Sequence, residues 1–274
     1  MEASNKLCND NRRKAIFFDI DGTLYHPSVG IPESAKEGIA KLKENGHLVF
    51  ICTGRTKAML FNELNEMEFD GIIAGAGTYV EYDGKVLYRY DMDETEAMNI
   101  TNELRKMHFA PVPEGHDIFY REIESNWSKE YKMVYEHFYN NVGGEIKPMP
   151  EDGVGIKAAK MSAVVSEKSD IEAAKKKFEK DYLVVIHGNL IFELIPKGFS
   201  KAEGIKLILE NTGIDKKDTY AFGDSMNDYE MLDFVEYGIA MGNSDKRLFE
   251  AATYVTDTIE NDGIYKALLK YQLI

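Results

Sequence analysis

Two carboxylates stand two residues apart where the first apolar stretch of the chain ends. Asp19 and Asp21 follow residues 15–18, and Gly22 and Thr23 come directly after them. Two acids this close repel each other unless a cation or a shared proton compensates their charge. A hard cation such as Mg²⁺ would do so with oxygen ligands. The pair is therefore a candidate metal site, at which a phosphate ester would supply a further oxygen ligand.

Further polar residues follow other apolar stretches of the chain. Thr53 comes after the second stretch, and Asp224, Asn227 and Asp228 come after a late one. Lys201 lies at the expected start of a helix. In an open α/β sheet, ligands bind beyond the carboxyl ends of the strands, near the point where the strand order reverses. We therefore expect these residues to meet at one edge of a sheet.

Each of these residues also has a purely structural interpretation. An Asp-Gly pair is a common turn, Thr53 could cap the helix that follows it, and Asn227 and Asp228 could cap theirs. A single lysine such as Lys201 is usually a solvated side chain. Together at the edge where α/β proteins bind ligands, the residues favour a functional site.

The apolar pattern predicts the elements that position these residues. Residues up to 74 read strand, helix, strand, helix, strand, including a helix over residues 56–67, and the same pattern returns after Pro196. The residues between contain hairpin signals at Asp83-Gly84 and Gly188-Asn189. We expect an α/β fold, with a Rossmann-like, doubly wound, mostly parallel sheet. Residues 1–80 and 196–274 would form this core, and residues 81–195 an inserted α+β cap.

The same residues resemble the motifs of the haloacid dehalogenase superfamily. Residues 19–24, Asp-Ile-Asp-Gly-Thr-Leu, resemble its first motif, and residues 53–55, Thr-Gly-Arg, its second. Lys201 resembles the third, and residues 223–228, Gly-Asp-Ser-Met-Asn-Asp, the fourth. Order and spacing are similar to the Cof-type branch, which carries a large α+β cap. Many relatives have Asn-Gly where this chain has Ala76-Gly77, which leaves the local contacts there open.

The resemblance implies a role for each residue of the motifs. Asp19 would be the nucleophile that forms an aspartyl-phosphate, and Asp21 the general acid and base. Mg²⁺ would be bound by Asp19, the Asp21 backbone carbonyl and Asp224. The phosphate would be bound by Thr53, Gly54, Lys201 and Asn227. Asp228 would support the metal or Lys201, and Thr23 would be a further supporting residue. An acid at position 21 distinguishes the chain from the dehalogenases and ion pumps of the superfamily.

Composition limits the classes of partner. The net charge of −14 disfavours nucleic acid and anionic membranes as partners. The chain has two cysteines, Cys8 and Cys52, without metal-ligand spacing, which favours a reducing compartment. An apolar signal sequence is not visible, and no apolar run is long enough to span a membrane. We expect a cytoplasmic protein, monomeric or weakly dimeric.

Two classes of function remain open. The first is a magnesium-dependent phosphatase for small phosphate monoesters such as sugar phosphates, with a phosphotransferase or mutase as its closest enzymatic alternative. The second is a regulatory protein that binds phosphorylated ligands with weak turnover. Intact Asp19, Asp21, Lys201 and Asp224 favour the phosphatase.

Overall fold

The structure is a computed structural model that describes residues 12–123, 127–136, 142–150 and 154–274. Its helices are α1 Glu33–Glu44, α2 Asn62–Asn65, α3 Glu94–Lys106, α4 Lys129–Val134, α5 Ile171–Phe178, α6 Lys201–Thr212, α7 Tyr229–Phe234 and α8 Gly263–Lys270. Its strands are β1 Ala15–Phe18, β2 Leu48–Cys52, β3 Gly71–Ala74, β4 Tyr79–Tyr82, β5 Lys85–Arg89, β6 Ala110–Glu114, β7 Ile118–Arg121, β8 Glu145–Pro148, β9 Lys160–Val164, β10 Tyr182–His187, β11 Ile191–Pro196, β12 Thr219–Gly223, β13 Tyr237–Ala240 and β14 Tyr254–Val255.

The first sheet has eight strands in the order β14-β13-β12-β1-β2-β3-β4-β5. The pairs from β14 to β2 are parallel, whereas β4 and β5 form an antiparallel hairpin. Every residue of β1, β2 and β12 is buried. A parallel strand that is covered on both faces needs a continuous apolar run, and these runs are what the sequence provides. The α/β prediction is confirmed.

Helix α1 shows how the helices cover this sheet. Its buried residues Ala35, Gly38, Ile39 and Leu42 recur at helical spacing, so they lie on one face. A Cβ atom at Gly38 would lie 2.8 Å from Leu268 Cδ1 in α8. The absence of a side chain at this position therefore allows α1 and α8 to pack closely.

The second sheet has six strands in the order β10-β11-β9-β6-β7-β8. The pairs from β10 to β7 are antiparallel, and β7 pairs parallel with β8. Met161, Ala163 and Phe192 belong to a buried apolar cluster that includes residues of α3 and α5. Val112 and Val164 belong to a second cluster, with Tyr131 of α4. The sheet thus has two differently covered faces, as alternating strands predict.

The chain divides into two compact units. One contains the residues up to 53, residues 69–72 and residues 205–274, and the other contains residues 54–68 and 73–204. All strands of the second sheet lie between Ala110 and Pro196, whereas the β4–β5 hairpin belongs to the first sheet. The boundaries expected from the sequence, with an insertion over residues 81–195, stay a prediction.

The helix expected over residues 56–67 is wrong in its extent. The chain forms a single 3₁₀ turn at Lys57–Met59, is extended at Leu60 and Phe61, and resumes as the short α2. The carbonyl of Leu60 accepts a hydrogen bond from the N–H of Gly143 (2.6 Å), and that of Ala58 accepts one from Gly144 (3.0 Å). These bonds to a distant segment use carbonyls that a continuous helix would need for its own hydrogen bonds.

Two further expectations concern cysteines and membranes. Cys52 is buried in β2, whereas Cys8 lies outside the described residues. Among the residues that the structure describes, no helix is both long and apolar enough to cross a membrane.

His116, a buried histidine of the second unit, makes the stability of the fold depend on pH. His116 is 2% exposed and lies against the ring of Tyr79, with ring centroids 5.0 Å apart. Neither ring nitrogen has a hydrogen-bond partner among the described residues. Burial, which disfavours the charged imidazolium, lowers the pKa of His116 to about 4.

We predict that His116→Phe reduces the pH dependence of stability on the acid side. In the wild type, the unfolded chain protonates this histidine near pH 6.5, but the folded chain does so only near pH 4. Unfolding therefore takes up a proton between these values, and stability falls as the pH falls, by up to about 3 kcal/mol. Urea unfolding at a series of pH values should show a smaller fall in the variant. The half-exposed His26, changed to Gln, is the control, and equal slopes for the wild type and His116→Phe would contradict the prediction.

Candidate active site

Three adjacent parallel strands end in the polar residues that the sequence singled out. Asp224 follows β12, Asp19 follows β1, and Thr53 follows β2. The strands are in register, with Phe18 beside Phe222 on one side and beside Ile51 on the other. The strands that follow β1 in sequence lie on one side of it and the late strands lie on the other, so the strand order reverses here. Asp19 and Asp224 therefore stand at the switch point, where α/β proteins bind ligands.

Three carboxylates meet at this switch point. One oxygen each of Asp19, Asp224 and Asp228 lies within 4.8 Å of the other two. Asp19 is 4% exposed and Asp228 is fully buried. Three carboxylates gathered this closely repel one another, and burial increases the cost of their charge. An oxygen-only set of hard anionic ligands suits a divalent cation such as Mg²⁺, so these residues fit the metal that the resemblance implies.

Asp228 is held in place by the loop that carries Asp224. Its Oδ2 accepts hydrogen bonds from the backbone N–H groups of Asp224 (3.0 Å) and Ser225 (3.1 Å). A Cβ atom at Gly223 would lie 2.6 Å from the Asp228 Cγ, so glycine is required for this approach. Asp228 thus both belongs to the carboxylate group and fixes the backbone of its neighbour.

The carboxylate of Asp224 is positioned from the first motif. Thr23 Oγ1 donates a hydrogen bond to Asp224 Oδ1 at 3.0 Å. Gly22 has a φ of +86°, and a Cβ atom there would lie only 2.3 Å from Asp224 Oδ2. The glycine is therefore needed twice, for a left-handed backbone and for the space that Asp224 occupies.

Asp19 and Asp21 have different surroundings. The backbone N–H of Asp19 donates to the Phe222 carbonyl at 3.0 Å, which ties the end of β1 to β12. Asp21 lies in the following turn and is exposed, and its side chain is not part of the carboxylate group. Two acids two residues apart are thus separated into a buried one and a solvated one. The role of the Asp21 backbone carbonyl at the metal stays a prediction.

The other predicted residues fall in both units. Thr53 is buried at the end of β2, and Asn227 Oδ1 accepts a hydrogen bond from Ser225 Oγ at 2.7 Å. Gly54 and Lys201 belong to the second unit, where Lys201 is the first residue of α6 and is 1% exposed. Their roles toward phosphate stay predictions.

Sequence reasoning missed a supporting loop after β13. Asn243 Nδ2 donates to the Gly22 carbonyl (2.8 Å), and the Asp245 N–H donates to the Asp224 carbonyl (3.1 Å). These bonds connect the first and fourth motifs to a third segment of the chain. The loop follows β13, a further parallel strand of the same sheet. The rule that ligands bind beyond the carboxyl ends of the strands, which located the other residues, would have located this loop too.

Comparison with known proteins places the chain in a family. Residues 16–268 match the haloacid dehalogenase-like hydrolases, and the chain belongs to this family. The resemblance seen in the motifs is thereby confirmed, and the chain is an enzyme of the phosphatase type.

Individual relatives cover nearly the whole chain. The Bacillus subtilis protein YkrA is 32% identical over 95% of this chain and 98% of its own length. The 5-amino-6-(5-phospho-D-ribitylamino)uracil phosphatase YitU of the same organism is 27% identical over 93% of this chain and 96% of its own. The solved structure of the subclass IIB sugar phosphatase BT4131 superposes with a TM-score of 0.82 at 27% identity, covering 95% of this chain and 100% of that one.

We predict that Gly22→Ala abolishes most of the phosphatase activity, because the new methyl group would displace the Asp224 carboxylate. Gly30→Ala is the matched control, since Gly30 also has a positive φ (+68°) but no atom lies within 4 Å of the place that its methyl group would take. Both variants should lose about 1 kcal/mol of stability through backbone strain. Only Gly22→Ala should lose activity, by about a hundredfold. Equal activity of the two variants would show that the Gly22–Asp224 approach is not needed for catalysis.

Proposed function

We propose that this enzyme hydrolyses small phosphate monoesters, including sugar phosphates, through a phosphorylated intermediate on Asp19. The observation that carries the proposal is the meeting of the Asp19, Asp224 and Asp228 carboxylates at the switch point of the sheet. The preference for sugar-like esters is supported by two relatives, of which one is named for a phosphoribitylamino compound and the other as a sugar phosphatase.

A divalent cation would be held by Asp19 and Asp224, with Asp228 completing the acidic group. When bound, Mg²⁺ would offset the repulsion between these acids and the phosphate dianion and would polarise the phosphoryl group. The chain's own part is to keep the three carboxylates together, which it does through the backbone bonds to Asp228 and the hydroxyl of Thr23.

In the first chemical step, a carboxylate oxygen of Asp19 attacks phosphorus. The bond between phosphorus and the ester oxygen breaks, and its electron pair stays on the leaving oxygen, which takes a proton from Asp21. In the second step, water attacks the phosphorus of the aspartyl-phosphate and gives its proton to Asp21. The bond between phosphorus and the Asp19 oxygen breaks, and its electron pair returns to the Asp19 carboxylate. Inorganic phosphate leaves, and both side chains return to their starting state. The exposed position of Asp21 supports its role, because a solvated carboxyl group can exchange protons.

The other motif residues would hold the phosphoryl group. The Thr53 hydroxyl and the Asn227 amide are donors near the carboxyl ends of β2 and β12. Donors of this kind stabilise the charge that spreads over the phosphoryl oxygens in the transition state. Lys201 and Gly54 are assigned to the same task by the resemblance alone.

We predict that phosphate release depends on an added divalent cation. The purified enzyme, treated with EDTA and assayed on a panel of phosphorylated metabolites and p-nitrophenyl phosphate, should lose nearly all activity, and Mg²⁺ should restore it. Phosphate release with water as the acceptor distinguishes hydrolysis from transfer to a sugar hydroxyl. Full activity in metal-free buffer would overturn the metal proposal, and binding without turnover on every ester would favour a regulatory role.

We predict that Asp21→Asn slows the two chemical steps to different extents. The leaving group p-nitrophenolate needs little protonation, so its phosphorylation step should suffer less than that of an alkyl phosphate. Hydrolysis of the aspartyl-phosphate still needs the base, so this intermediate should accumulate. Rapid-quench measurements of both esters give the two rates. Asp19→Asn is the control, and it should form no intermediate and lose about a thousandfold or more in turnover on either ester. An equal loss on both esters without accumulation would exclude Asp21 as the acid and base.

A further inference from the structure

Among the residues that the structure describes, the two sheets end in four edge strands, and these strands differ in how they are protected. An exposed edge carries unpaired backbone groups that can pair with another chain, and proteins usually guard against this with charges, proline or very short strands. Strand β14 has only two residues, β5 contains Lys85 and Arg89, and β8 contains two charged residues and Pro148. Strand β10 has none of these features.

Strand β10 is instead a long and apolar edge. It runs Tyr-Leu-Val-Val-Ile-His over residues 182–187, without an acid, a lysine, an arginine or a proline. Leu183 is 51% exposed and Ile186 is 38% exposed. The chain has a net charge of −14, yet this edge strand carries no acid, lysine or arginine that would oppose pairing. Strand β10 is therefore a site at which another strand can pair with the sheet.

The pairing with β11 shows which backbone groups of β10 face outward. The Lys197 N–H donates to the Asp181 carbonyl (3.2 Å), so Asp181 and Lys197 form a hydrogen-bonded pair. Such pairs alternate along an antiparallel ladder. Tyr182 lies opposite Pro196, which has no N–H, as expected for the next, non-hydrogen-bonded pair. The backbone groups of Tyr182, Val184 and Ile186 therefore point away from β11.

We propose that β10 pairs antiparallel with β10 of a second copy of this chain, about a two-fold axis at Val184. This register brings the outward groups of both strands face to face and forms about six hydrogen bonds. It places Tyr182 of one copy opposite Ile186 of the other, and Leu183 opposite Val185. The two six-stranded sheets become one continuous sheet of two copies.

The polar residues at the ends of the paired segment favour a second copy over an unrelated peptide. In this register, Asp181 of one copy lies opposite His187 of the other, at both ends of the interface. Every position between them pairs apolar side chains, which stabilises neighbouring strands. Because the axis is two-fold, the same surface serves both copies and the assembly closes as a dimer.

The test compares substitutions on two sheet edges by sedimentation velocity of the full chain. The wild type should shift with concentration toward twice the monomer mass. Leu183→Lys and Ile186→Lys should weaken the dimer about tenfold or more, because each change enters the interface twice. Val86→Lys, at a 53% exposed residue of the edge strand β5, is the matched control and should leave the dimer unchanged. Activity on p-nitrophenyl phosphate should be the same in all four proteins.

Cysteine cross-linking tests the register. In a Cys8→Ser background, Val184→Cys should oxidise to a covalent dimer, because Val184 meets its own copy at a Cα separation of about 5.5 Å that permits a disulfide. Ile186→Cys lies opposite Tyr182 and should not cross-link to itself, although it is also exposed. A wild type that stays monomeric at every concentration, open-ended oligomers, or efficient cross-linking through Ile186→Cys would each overturn the proposal.

Discussion

Electrostatic repulsion between three gathered carboxylates is the constraint on which the candidate active site depends. Asp19, Asp224 and Asp228 are held with oxygens within 4.8 Å of one another, and two of the three side chains are buried. Nothing in the chemistry of carboxylates brings them together, so the backbone must do so. The bonds from the loop N–H groups to Asp228 and from Thr23 to Asp224 perform this task.

The parallel sheet makes this arrangement possible with short local motifs. Because β12, β1 and β2 run in the same direction, their carboxyl ends lie at one edge, and residues more than 200 positions apart become neighbours. The glycines then set the approach of the loops, since side chains at Gly22 or Gly223 would occupy the space of the two aspartates. The sequence places its acids and its smallest residues at neighbouring positions for this reason.

The same logic explains how much could be predicted from the sequence. The buried strands were recognisable as continuous apolar runs, and the site residues were recognisable because they follow those runs. The second sheet was only partly visible, since β6 contains two prolines, β7 and β8 are short, and α4 has a weak pattern. The break in the helix expected over residues 56–67 depends on hydrogen bonds from Gly143 and Gly144, and no local pattern records a contact that distant.

The second sheet shows a different way of keeping carboxylates together. Glu114 and Glu193 are buried there with Lys160, which forms ion pairs with both of them, and Ser162 donates to Glu114 at 2.5 Å. Burial raises the pKa of Glu114. Burial also acts to raise the pKa of Glu193, but the charges and hydrogen bonds of Lys160 and His187 together lower it.

A permanent lysine compensates these acids at all times, so the cluster in the second sheet fixes strands β6, β9 and β11 without needing a ligand. The cluster at the switch point combines three acids whose chemistry suits an exchangeable cation. A phosphatase needs acids that are compensated by an exchangeable cation. Such a cation binds both the acids and the phosphate of the substrate, so it offsets the negative charge of both when the substrate binds. The difference between the two groups of acids thus lies in whether the compensating charge is part of the chain.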